Sequence, residues 1–223
     1  MSMPAEEPAI VVVAVADDAL VPRVSRQRAV VTVIVALAVA GAVVGALWAW
    51  LAPPIHGVVA LTRSGDRIHA YLGNESDNFF TAAFVFVGFL VVLSVVAAVL
   101  VWQWREHRGP VLAGALAVGC AVSAATAAGV GVALAHLRYG TIDLFGAPVT
   151  PEHRVQYVVE APPVFFGHGP LQIATTILFP AAIAALVYAL MAVSAARDDL
   201  GAWPPEETTA YPMLPATVGQ PGA

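Results

Sequence analysis

The sequence predicts an all-α membrane protein, a bundle of four transmembrane helices with a small extracytoplasmic β-hairpin cap. Three observations carry this reading. Of 223 residues, 59% are hydrophobic and only 11% charged, where soluble domains carry about 25% charged residues. The apolar residues gather into four uncharged blocks of more than twenty residues, each long enough at ~1.5 Å per residue to cross a hydrocarbon core of ~30 Å. The two long connections between blocks contain runs that alternate apolar and polar residues beside turn chemistry, the pattern of short strands.

The first block, residues 29–51, follows Arg23, Arg26 and Arg28 and ends in Leu47-Trp48-Ala49-Trp50-Leu51. A signal peptide has an apolar region of about 7 to 15 residues and a small-residue exit. Twenty-three apolar residues with an aromatic anchor read instead as an uncleaved span. The second block, 79–102, follows Ser76-Asp77-Asn78, whose side chains suit helix N-caps, and closes in Trp102-Gln103-Trp104 at headgroup level. Gly109-Pro110 opens the third, 111–134, and the short link Arg105-Glu106-His107-Arg108 makes the second and third spans an antiparallel pair. The fourth, 171–193, starts after Gly169-Pro170 and contains Pro180, which removes one backbone bond and bends the helix. Residues 1–28 and 194–223 read as tails. The first is mostly disordered, and the second is acidic and rich in proline, too poor in apolar area to offset ordering entropy.

In the first long loop, 52–78, residues 57–62 and 67–72 flank Arg63-Ser64-Gly65-Asp66, and Ile68, Ala70 and Leu72 alternate with Arg67, His69 and Tyr71. This is a hairpin with Ile68, Ala70 and Leu72 as the expected inner face. The second loop, 135–170, offers strand-like runs at 141–145 and 154–160. A lone two-stranded hairpin is marginal in water, so the two loops are expected to pair into one sheet. Arginines orient the molecule: six flank the tails and the short link, four lie in the long loops. Both termini are therefore expected in the cytoplasm of a bacterial plasma membrane.

A net charge of −5, with ten arginines and no lysine, argues against nucleic-acid binding. The single cysteine, Cys120, allows no internal disulfide and reads as a small buried hydrophobe. Five histidines, at 56, 69, 136, 153 and 168, fall in or beside the long loops, but their spacing matches no ligand motif, so no metal, cofactor or catalytic set is expected. Gly167-His168-Gly169 stands at the start of the fourth span, where free N–H groups favour an anion; the plainer reading is an entry turn with Pro170 at the first helical position. Gly41 and Gly45 form a GxxxG pattern, and Gly114 and Gly119 belong to a third span composed largely of small residues. Such faces let helices approach closely, within the chain or in a dimer. The phenylalanines of the second span (79, 80, 84, 86 and 89) are expected to face lipid or a partner.

An acidic, proline-containing head, Trp48-Ala49-Trp50-Leu51-Ala52-Pro53, Asp77 to Phe80, Trp102-Gln103-Trp104-Arg105 and the Gly-Pro entry to the fourth span together resemble the actinobacterial families of small four-span membrane proteins of unknown function. The resemblance covers residues 24–200 and implies an inner-membrane location. No acid or base lies inside a span, which argues against a proton-coupled carrier. The expected function is that of a non-enzymatic accessory or scaffold subunit of a cell-envelope or respiratory complex, meeting the bilayer and a membrane-protein partner or a second copy. The alternative is small-molecule transport or extracytoplasmic ligand binding.

Overall fold

Each apolar block folds as a helix because the helix satisfies its backbone groups internally, and its ends fall where the chain stops allowing that. In the computed structural model, which describes residues 24–140 and 146–195, helix α1 is Arg26–Leu51. The Ser25 side chain accepts a bond from the Arg28 N–H at its start, and Pro53-Pro54 stops it. Helix α2 is Asp77–Trp102. The expected N-cap bond from Ser76 is not made: Ser76 is itself helical, and Asn78 turns back to the carboxylate of Glu75 and the carbonyl of Pro54. Helix α3 is Pro110–Tyr139, beginning after Gly109 at φ +144°. It runs five residues beyond the apolar block, because Ala135 to Tyr139 remain good helix formers and only Gly140, at φ +75°, turns the chain. Helix α4 is Pro170–Val193, with Pro170 in its first turn and Pro180 buried inside it. All four are long and apolar enough to cross a membrane. Residues 26–28, expected in the first tail, are instead the first turn of α1, while residues 1–23, residues 196–223 and the strand expected at 141–145 lie outside the described residues.

Small residues bring α1 and α3 together. A methyl added at Gly41 would fall on the backbone carbonyl of Ser123, and one at Gly45 on that of Ala127. Opposite, a Cβ at Gly119 would lie 2.6 Å from Leu37 Cδ1, and one at Gly131 2.9 Å from the Trp48 ring. Backbone thus packs on backbone within one chain. Gly114 lies off this stripe, exposed, with nothing within 4 Å of its Cβ position. Trp48 is not the headgroup anchor it resembles in sequence. It is fully buried, donates its indole N–H to the Ala82 carbonyl at 2.8 Å, and meets Phe86 edge to face, while Trp50 stays exposed. Phe86 likewise departs from the outward set: it belongs to the core with Trp48, whereas Phe80 and Phe84 point outward. Cys120 is buried in a second cluster with Leu37, Leu116 and Tyr188. Ser94, Thr126, Thr175 and Thr176 return their hydroxyls to carbonyls of their own helices. Ser123, beneath Gly41, finds no partner.

The long loops supply one antiparallel sheet. Strands β1 (Ile55–Leu61), β2 (Arg67–Tyr71) and β3 (Val155–Glu160) stand in the order β2-β1-β3, so among the described residues the cap has three strands, drawn from both loops. Gly65, at φ +93°, and the Thr62, Ser64 and Asp66 side chains close the β1–β2 turn. The register pairs Gly57 with Tyr71 and Val158, and Val59 with His69 and Gln156. Ile55, Gly57 and Val59 are buried, so the covered face carries Arg67, His69, Tyr71, Gln156, Val158 and Glu160. The period of β2 is the expected one but its face is reversed: Ile68 and Ala70 point away from the bundle. The central strand sets the choice, because burying Ile55 and Val59 fixes which side of every neighbour follows.

Candidate functional site

Polar chemistry concentrates where the sheet meets the helix ends. β1 follows α1 directly, β2 leads into α2, and β3 lies between α3 and α4, so the four helices present one end each to the sheet. Two groups of contacts organise this end.

The first joins β1 to the start of α2. The carboxylate of Glu75 accepts from the backbone N–H of His56 at 3.1 Å and from Asn78 Nδ2 at 2.9 Å, with His56 Nδ1 also at 3.1 Å. The His56 backbone and side-chain bonds hold this carboxyl below the usual range. Glu75, with His56 and Asn78, therefore works as a structural clasp.

The second lies under the sheet. His69 spreads across the space left by Gly57: a Cβ there would stand 2.7 Å from His69 Nε2. The His69 ring meets Tyr71 edge on at 4.9 Å, and Tyr71 meets Phe79 of α2 at 5.1 Å. Burial, followed by the negative charge of Glu160 across β1, pushes the Tyr71 hydroxyl above its ordinary value. Phe79 and Glu160 then share a cleft of about 320 Å³ with His136 at the end of α3, His168 before α4, and a wall of Pro162, Val164 and Phe165. Among the described residues, His69 Nε2 and Glu160 Oε2 are both buried without a hydrogen-bond partner.

The sequence-marked residues distribute unequally over this geometry. Gly167 and His168 line the cleft, whereas Gly169 lies against Gln172, whose side chain folds back over both glycines. Gly41, Gly45 and Gly119 are in the α1–α3 contact described above, and Gly114 is on an outer face. Of the loop histidines, His136 and His168 come to one cleft, His56 goes to the clasp and His69 to the inner face of the sheet. Among the described residues, no three His, Cys, Asp or Glu side chains come within reach of one metal ion. In sequence Glu160 is one of six loop acids, at 66, 75, 77, 143, 152 and 160, that read as salt partners of the loop arginines rather than as a site. The available signal was its two-residue spacing from Val158 and Gln156, which becomes decisive only once the buried face of β1 is known.

Comparison with known proteins places this architecture. Residues 37–202, from the middle of α1 past the end of α4, match the model of a family described as a protein of unknown function, DUF2567. The chain belongs to the DUF2567 family. An uncharacterized protein of Mycobacterium tuberculosis is 56% identical over 169 residues, spanning 75% of this chain and 88% of the relative. An uncharacterized protein of Mycobacterium bovis matches to the same extent, and one of Mycobacterium leprae is 54% identical over 176 residues, 79% and 89% of the two chains. The resemblance to an actinobacterial family of unknown function is thereby confirmed. No solved structure matches the chain.

Proposed function

We propose that this DUF2567 protein is a multi-pass plasma-membrane protein with both termini in the cytoplasm. It acts without catalysis as an accessory or scaffold subunit of a cell-envelope or respiratory complex. One observation carries the reading: the side of the sheet that faces away from the helices is apolar. Ile68, Val155, Tyr157 and Val159 are 48%, 51%, 71% and 39% exposed, and the register places them on one surface with Val58 and Ala60. A sheet normally turns its apolar side to its own core and its polar side to water. Here the inward side joins the buried Ile55 and Val59 to the polar side chains of the two flanking strands, and the outward side, His56 apart, is apolar, which suits a surface completed by another membrane protein. β2 and β3 are both edge strands, so the sheet can also be extended by pairing.

The test is affinity purification of the tagged chain from its native membrane in mild detergent, followed by quantitative mass spectrometry. A stoichiometric companion is expected with the native chain. It should be lost with Tyr157→Asp, a change at an exposed position that leaves the helical bundle intact. A clean homomer, or a companion retained by the Tyr157→Asp chain, would overturn the reading.

A further inference from the structure

Glu160 is the one acid, and no arginine stands beside it, among the lining residues of the cleft beneath the sheet. A carboxylate is an acceptor only. Glu160 is half-buried on β3 and lines a cleft whose other surfaces are largely aromatic and aliphatic: Phe79, Pro162, Val164 and Phe165. A cleft with one acid and no cationic side chain on its walls suits a ligand that brings N–H groups and a positive charge together with some carbon skeleton.

We propose that the cleft beneath the sheet binds an ammonium group, with the Glu160 carboxylate as its counter-charge and the Phe79 and Phe165 rings against its carbon atoms. His136 and His168 line the same cleft. An anion is disfavoured by the Glu160 carboxylate itself. A tightly ligated metal ion lacks its third ligand among the described residues. At about 320 Å³ the cleft is at the small end of ligand sites, which suits a head group better than a large molecule. The aromatic walls add attraction for a cation of ~0.5–2 kcal/mol per favourable face.

Two sources supply this chemistry. One is a water-soluble primary amine. The other is the head group of an aminophospholipid, for which the neighbouring apolar groove of about 500 Å³ between α2 and α4, lined by Val87, Phe166, Leu171, Leu178 and Phe179, offers room for an acyl chain.

The experiment uses the full chain purified in a neutral detergent and in nanodiscs. In detergent, melting is followed during titration with 2-phenylethylammonium and, in parallel, with the neutral 2-phenylethanol. In nanodiscs, phosphatidylglycerol alone is compared with a mixture containing phosphatidylethanolamine. Stabilisation by the ammonium compound but not by the alcohol, weakened at least tenfold in Glu160→Gln, supports a soluble amine. Stabilisation confined to phosphatidylethanolamine nanodiscs, and lost in Glu160→Gln, supports the lipid head group. Equal effects of ammonium and alcohol with no response to phosphatidylethanolamine would overturn the proposal, as would native affinity in Glu160→Gln. If Glu160→Gln does not fold, Glu160→Asp, which keeps the charge, and the ammonium-against-alcohol comparison on the native chain still decide.

Discussion

Gly45 and Gly114 belong to the same residue type in equally apolar helices, yet their substitution should have opposite consequences. At Gly45 a single methyl meets the backbone carbonyl of Ala127, which no rotamer change can move, so α1 and α3 must separate. Gly45→Ala is expected to cost about 1–3 kcal/mol, the usual penalty for overpacking. Gly114→Ala meets nothing within 4 Å, and replacing glycine within a helix is neutral or favourable by up to ~1 kcal/mol. Unfolding of the two variants in micelles of increasing dodecyl sulfate fraction measures the difference. Equal midpoints would show that the glycine stripe does not hold the pair. The sequence marks both positions as small-residue contacts, because composition reports that a glycine is present but not which way its helix is rotated. Rotation is set by larger neighbours such as Trp48 and Leu37, which choose their cavities only when α3 is in place.

At the scale of elements, the four helices were legible because twenty uncharged residues have few alternatives, and the strands because alternation with turn chemistry is local. What failed was orientation about the strand axis. In β2 the apolar set Ile68 and Ala70 looks inward by composition, but β2 is an edge strand and follows the central one, whose Ile55 and Val59 are buried. The N-cap of α2 failed for a related reason: Ser76 is a competent cap, but Glu75 draws Asn78 and the His56 backbone into a clasp that redirects the chain. That clasp has a pH signature. Glu75 is held below its ordinary value near 4.5, so its contribution to stability is complete above that pH and is lost as pH falls through the lowered folded value. Glu75→Gln should therefore melt earlier than the native chain at pH 7 and converge with it in strong acid. Melting curves from pH 7 down to pH 3 check this, and a gap that persists unchanged to the acid end would assign the stabilisation to shape rather than charge.

For the whole molecule, the sheet gathers one end of every helix, while the opposite end carries the short link between α2 and α3. There Arg108 donates to the Trp102 carbonyl and lies 4.5 Å from the centre of its ring, and Tyr188 of α4 accepts from the Gly109 N–H. The cleft under the sheet was not legible in the sequence because its members come from three separate segments, at Phe79, around His136 and from Glu160 to His168, and no spacing rule joins them. The polarity of the bundle, in contrast, rests on a count the sequence supplies: six arginines at the link and tails against four at the sheet end. Positive charge is retained on the cytoplasmic side, and short loops obey this bias more strictly than long ones. The four-residue link holding Arg105 and Arg108 therefore weighs more than the long loops holding the other four arginines. The expectation is that the sheet faces outward. Cysteine at Ser64, in the β1–β2 turn, or at Thr150, both exposed, should react with an impermeant thiol reagent added to intact cells. Cysteine at Gln103 should react only after permeabilisation, and Cys120 serves as the internal blank because it is buried between helices. The reverse pattern, with Ser64 and Thr150 protected and Gln103 reactive in intact cells, would invert the molecule. It would then move both the apolar face of the sheet and the Glu160 cleft to the cytoplasmic side.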